Sequence, residues 1–174
     1  MKKQLLVVVD MQNDFVTGSL ANPDAEKIIP TIVEEMNKSD FIIFTRDTHD
    51  ENYLNTTEGK NLPIKHCIFG TSGYEVVKPL QTEVSNKKIP SLFINKLTFG
   101  YPDWGQIRII EKYDKIVLVG TCTDICVVSN ALILKAAFPD KEFIVKSSAC
   151  AGLTKEKHEA ALDVMRSCQI TVID

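Results

Sequence analysis

Residues 115–137 read KIVLVGTCTDICVVSNALILKAA. The first six are apolar and β-branched, the pattern of a buried strand. From Ile125 to Ala137 the apolar residues fall at helical spacing instead. A strand that passes through a short loop into a helix is half of a β-α-β unit. Two cysteines sit at its joint, Cys122 in the loop and Cys126 about where the helix begins.

Outward from this unit the pattern repeats. Strand-like runs occur at 5–10 (LLVVVD), 41–47 (FIIFTRD), 91–96 (SLFINK), 142–147 (EFIVKS) and 169–174 (QITVID). Each is continuous rather than alternating, which predicts strands covered on both faces. Helical patterns lie between them, at 25–38, 73–84, 104–112, 125–137 and 154–168. The alternation predicts an α/β fold of three layers, α/β/α, around a mostly parallel six-stranded Rossmann-like sheet. No repeat or linker divides the 174 residues, so a single domain, 1–174, is expected. The one long irregular stretch is 46–72, and a loop of that length usually carries function.

Composition narrows the partners. Hydrophobic residues make up 44% and charged residues 25%, as in a globular protein with a full core. Twenty basic against 23 acidic residues give a net charge of −3, and the basic ones are scattered, which argues against nucleic acid. The N-terminal apolar run LLVVV ends in Asp10, too short for a signal-peptide core or a bilayer span. Five cysteines without regular spacing predict free thiols in a reducing cytoplasm rather than a disulfide framework.

Parallel sheets bind ligands beyond the carboxyl ends of their strands. The first strand delivers Asp10 there, the second Asp47 and His49, the third Lys96 and the fourth Cys122 to Cys126. Cys126 in the first turn of a helix, capped by Thr123 or Asp124, would have its thiolate stabilised and its pKa lowered by the helix dipole. Asp10 could serve as its base, and Lys96 could balance the charge of both. Taken singly, each has a plain alternative: a core cysteine, a turn carboxylate, a solvated lysine. A redox pair is disfavoured, since Cys122 and Cys126 are spaced CxxxC rather than CxxC.

The loop after the second strand holds two of the three histidines. Asp47 and His49 project from one strand face, and Glu58 and His66 follow. Two imidazoles and a carboxylate make an open site for a divalent metal. A satisfied loop histidine, a turn aspartate and a solvated glutamate are the alternatives. His158, on the last helix, is expected at the surface, and Cys67, Cys150 and Cys168 are expected to pack. Phe15, Phe99, Tyr101 and Trp104 lie near the same rim, where a flat ring could stack; Trp104 could equally start a helix and join the core.

VVVDMQNDF (7–15), NKLTFG (95–100), GTCTDICV (120–127) and SSACAGLTKEKHEAAL (147–162) together resemble the isochorismatase-like cysteine hydrolases, in order and over essentially the whole chain. The resemblance implies a triad of Asp10, Lys96 and Cys126, with a cis peptide between Thr121 and Cys122 and an oxyanion hole from the backbone N–H groups of Cys122 and Cys126. D-x-H followed by P-x-H, here Asp47, His49 and His66, with GTSGYE at 70–75, resembles the nicotinamidase/pyrazinamidase branch. That branch implies zinc, or else iron or manganese, on those three residues with Glu58 as a fourth ligand, and Phe15 and Phe99 as contacts to the substrate ring. It further implies hydrolysis of nicotinamide through a thioester, in NAD salvage. Members commonly assemble, which allows a homo-oligomer. Two alternatives stay open: metal-free hydrolysis of another small amide of carbamoyl or ureido type, and a non-catalytic metal- or ligand-binding protein on the same scaffold.

Overall fold

The computed structural model describes residues 2–174. Six strands, β1 (Gln4–Val9), β2 (Phe41–Asp47), β3 (Ser91–Lys96), β4 (Lys115–Thr121), β5 (Glu142–Ala151) and β6 (Thr171–Ile173), form one sheet in the order β3-β2-β1-β4-β5-β6. Every pairing in it is parallel. The expected three-layer α/β/α arrangement is therefore present.

The continuous apolar strands divide their side chains between two cores, because successive residues point to opposite faces. Leu5, Val7 and Val9 of β1 and Ile116 and Leu118 of β4 pack with Ala131, Leu134, Leu162 and Met165. Leu6 and Val8, with Val117 and Val119, pack with Ile32, Met36 and Leu80 on the other side. The helices Val128–Ala137 and Lys155–Ser167 thus cover one face, and Ile29–Asn37 and Lys78–Lys87 the other.

Coverage on both faces holds for the central strands and fails at the edges. In β3, Leu92 and Phe93 are exposed, and in β6 Ile173 is exposed. A composition rich in apolar residues does not distinguish a central strand from an edge one. The 25–38 helical pattern is two helices, Pro23–Lys27 and Ile29–Asn37, meeting at Ile28. Pro30 lacks an N–H and restricts the residue before it, so it fits the first turn of a new helix rather than the interior of a longer one. The stretch 104–112 folds as two short 3-10 turns. The 46–72 loop is not featureless, since it contains the 3-10 turn Tyr53–Asn55 and the helix Thr57–Asn61. Among the described residues no helix is long and apolar enough to cross a membrane.

Candidate active site

The strand order reverses at β1, whose neighbours are β2 and β4, and the crevice at such a switch point is where ligands bind. Asp10 ends β1 in the left-handed region, φ 49°, which a short carboxylate side chain tolerates better than most. Beside it, paired with Val9, the next-to-last residue of β4 is Gly120 with φ 122°, where a Cβ would stand 2.1 Å from the Val9 carbonyl oxygen. Only glycine lets the two strand ends approach so closely. The Thr121–Cys122 peptide is cis, as the resemblance implies.

Cys126 does not sit in an ordinary α-helical first turn. Thr123–Val127 is one turn of π-helix that precedes the Val128–Ala137 helix. Neither expected cap acts: Thr123 Oγ1 lies 2.8 Å from His158 Nδ1, and Asp124 Oδ1 accepts from the Leu153 N–H at 2.9 Å. His158 is accordingly half-buried against the turn rather than free at the surface. Asn130 is completely buried and makes four hydrogen bonds. Its Nδ2 donates to the carbonyls of Cys126 (2.8 Å) and Phe99 (3.2 Å), and its Oδ1 accepts from Tyr101 N and Trp104 Nε1 (2.9 Å each). It ties the cysteine turn to the segment after Lys96.

The three triad residues converge. Lys96 Nζ is 2.6 Å from Asp10 Oδ2 and donates to Cys126 Sγ at 3.7 Å. It also reaches Asp47 Oδ1 at 3.3 Å and the Thr98 carbonyl at 3.1 Å. Lys96 is 1% exposed, so the solvated-lysine alternative is excluded. Burial alone would lower its pKa, but the surrounding Asp10, Cys126 and Asp47 raise it, and the ammonium stays charged.

Cys126 departs from the sequence expectation. Its thiol is pushed well above the ordinary cysteine range, first by burial and then by the nearby Asp10 and Asp47 carboxylates, with Lys96 opposing. Desolvation of a buried thiolate outweighs one helix turn's dipole. The thiolate therefore has to be made by a base in place. Asp10 suits that task, since burial raises its pKa more than Lys96 lowers it.

Asp47, His49, Glu58 and His66 form a second cluster whose ligand atoms all lie within 4.8 Å of one another. His49 Nε2 is 2.9 Å from Asp47 Oδ2 and 3.5 Å from Glu58 Oε1, and His66 Nε2 is 3.3 and 3.9 Å from the same atoms. Ligands at about 2.0–2.1 Å from one ion in tetrahedral array stand roughly 3.3 Å apart, so the spacing fits one cation. The chemistry fits as well. His66 Nδ1 donates to the Ile64 carbonyl at 2.8 Å, which leaves Nε2 with its lone pair facing the cluster. The Tyr53 ring lies edge-on to His66 and tilted against His49, with centroids 4.9 and 4.5 Å away, and holds both imidazoles. The Asp14 carboxylate accepts from the Cys67 N–H at 2.8 Å, which fixes the chain beside His66. Burial would raise the Asp47 carboxyl, but Lys96 and the two histidines pull it far below the carboxylate range.

Cys126 and three members of this cluster, Asp47, Glu58 and His66, share one cavity of about 180 Å³, lined also by Phe15, Leu20, Leu62, Phe99, Cys122, Ile125 and Leu153. Phe15 and Phe99 stand where expected. Trp104 does not: it is fully buried in the core beneath the Val128–Ala137 and Lys155–Ser167 helices, its Nε1 donating to Asn130. An indole whose N–H needs a buried acceptor found one inward. Tyr101 packs with it, ring centroids 5.4 Å apart. The sequence pattern carried no signal for Leu20, Leu62 and Leu153, which come from three separate loops. Asn130 had one, a polar residue inside an apolar helix. All five cysteines are free; Cys67 and Cys150 are buried, whereas Cys168, expected to pack, is exposed.

The isochorismatase domain family matches residues 4–174 of the chain. A solved pyrazinamidase/nicotinamidase from Streptococcus mutans is 30% identical, with a TM-score of 0.84 over 98% of this chain and 100% of that one. The pyrazinamidase of Pyrococcus horikoshii, solved in complex with zinc, is 26% identical, with a TM-score of 0.79 over 99% of each chain. The nicotinamidase of Saccharomyces cerevisiae is 26% identical over 73% of this chain and 79% of its own length. The chain belongs to the isochorismatase family, lies on its nicotinamidase/pyrazinamidase branch, and is an amidohydrolase.

Proposed function

We propose that the protein hydrolyses nicotinamide to nicotinate and ammonia through a thioester on Cys126. One observation carries this reading. The buried thiol and Asp47, Glu58 and His66 of the four-residue cluster line the same small cavity, together with Phe15 and Phe99. A flat heteroaromatic amide has two ends that need such partners: a carboxamide carbon for the thiol, and a ring nitrogen for a metal.

Asp47, His49 and His66, with Glu58, would hold a divalent cation, most simply zinc, iron and manganese being the alternatives. When bound, it supplies a Lewis acid for the ring nitrogen and for ordering a water. Phe15 and Phe99 orient the ring. Asp10 takes the Cys126 proton, and the sulfur forms a bond to the carboxamide carbon. The N–H groups of Cys122 and Cys126 receive the oxyanion. As the C–N bond breaks, Asp10 returns the proton to the nitrogen, and ammonia leaves. Asp10 then deprotonates a water that attacks the thioester; the C–S bond breaks, nicotinate is released and the proton returns to sulfur. Lys96 stays charged throughout and offsets the anion shared by Asp10 and Cys126.

Ammonia release from nicotinamide, followed before chelation, after it and after zinc restoration, tests the reading. Activity lost to chelator and regained with metal is the expected result. Turnover of a ureido compound unaffected by chelation, with none of nicotinamide, would replace it with the metal-free alternative.

A further inference from the structure

We infer that Thr45 is a positioning residue for the catalytic base: its hydroxyl occupies one oxygen of Asp10, so that only the other can exchange a proton with Cys126. The inference rests on the reading of Asp10 as base to Cys126.

Thr45 lies on β2 directly across from Val9, the residue before Asp10, and is completely buried. Its Oγ1 donates to Asp10 Oδ1 at 2.6 Å and accepts from the Asp10 N–H at 3.2 Å. One hydroxyl thus grips both the backbone and the side chain of a residue whose φ of 49° has turned it out of the strand. The second oxygen is treated differently. Asp10 Oδ2 has the Lys96 ammonium 2.6 Å away but no aligned hydrogen bond among the described residues. That contact is an ion pair, and it leaves Oδ2 without an aligned donor, beside the same lysine that reaches Cys126 Sγ.

A carboxylate without such a hold can turn about its last bond and offer either oxygen. Here a turn would break the Thr45 bond and leave a buried hydroxyl unpaired, which is costly. The charged and titratable groups near Asp10 are Lys96 from the end of β3, Asp47 from the end of β2, Cys126 from the π turn, Cys122 just before that turn and Cys67 from the loop after His66. The aligned hydrogen bond to Oδ1 among the described residues comes from Thr45. Thr45, which is uncharged, is what distinguishes the two oxygens. Because its hydroxyl donates to the ionised form, it also favours the proton-free base.

The test compares T45V, which keeps the shape and removes the hydroxyl, with T45S, which keeps the hydroxyl. The first readout is the pH profile of Cys126 alkylation by iodoacetamide in the metal-loaded protein, which needs no substrate. In T45V the acid limb is expected to move to higher pH by about one unit, the worth of one hydrogen bond to a charged group. T45S is expected to keep the wild-type limb. The second readout is steady-state hydrolysis, where T45V should lose about tenfold or more in kcat with little change in KM. Bound metal should be equal in all three proteins, although Thr45 stands two residues before Asp47. An unmoved limb in T45V, a shifted limb in T45S, or loss of metal from T45V with kcat restored by added metal would each overturn the inference. Should T45V fail to fold, T45A, which also lacks the hydroxyl, takes its place in both readouts. A wild-type protein inert toward nicotinamide but normally alkylated would defeat the substrate reading and leave this inference standing.

Discussion

Asp10 and Asp47 end adjacent strands, both are buried, and both lie against the Lys96 ammonium, at 2.6 and 3.3 Å. Burial raises the pKa of each, yet Asp10 finishes above the ordinary value of 3.8 and Asp47 far below it. The difference lies in what else each meets. Asp47 faces His49 and His66 as well as the lysine, whereas Asp10 faces one cation, one hydroxyl and the thiol. Two carboxylates on one rim are thereby divided into one able to carry a proton and one held as an anion, the separation that the proposed base chemistry and cation binding require.

The division predicts separable losses. On the base side, C126A should lower turnover by about 10⁴-fold or more, since no other group offers a nucleophile to the carbonyl. Its metal content, read by elemental analysis, should match wild type; a C126A protein with substantial turnover would end the nucleophile assignment. On the ligand side, a H49A/H66A double variant should lose the metal and about 10³-fold in rate, while Cys126 still alkylates as in wild type. Loss of alkylation there would show that the two halves are not separable.

Between the halves, Asn130 holds the cysteine turn against the segment after Lys96. N130A leaves the carbonyls of Cys126 and Phe99 and two N–H donors without their partner. Urea unfolding of N130A should show a loss of about 2–4 kcal/mol. The raised Asp10 pKa gives a pH signature with a definite sign. Only ionised Asp10 can take the thiol proton, so kcat/KM should fall tenfold per pH unit below a midpoint that lies above that of an exposed aspartate. An acid limb at or below pH 4 would mean that Asp10 is not the titrating base.

The rim was legible in the sequence because strand register does the placing. Asp10, Lys96 and Cys126 each follow an apolar run, and parallel strands leave their carboxyl ends at one edge whatever the strand order. The protonation state of Cys126 was not legible. Position in a helix turn argues for a lowered pKa, but depth of burial reverses the sign, and depth is a property of the packed chain. Trp104 failed for a related reason. Its place after Lys96 suits the cavity, yet its indole N–H meets the buried Asn130 Oδ1, 26 residues along the chain. Thr45 was invisible because a threonine in a strand is ordinary until the residue after its ladder partner Val9 proves to be a buried carboxylate within reach.

Glu58, the fourth proposed ligand, divides the comparison most finely. Three members of its cluster sit on a strand end or a tightly held loop, whereas Glu58 comes from the short helix Thr57–Asn61 and is the most exposed, its side chain at 22%. Its oxygen is 3.5 and 3.9 Å from the two imidazoles, farther than the Asp47 oxygen at 2.9 and 3.3 Å. Burial and the Asp47 charge raise its pKa, so it is the weaker anion of the pair. A ligand held this loosely stabilises a cation less than one on the strand end. E58Q should therefore keep metal at saturating concentration, weaken its affinity by about tenfold in a competition titration with a chelator, and change kcat by only a fewfold. Loss as complete as in H49A/H66A would place Glu58 among the indispensable ligands. An affinity unchanged from wild type would reduce the site to Asp47, His49 and His66, and make Glu58 a wall of the cavity.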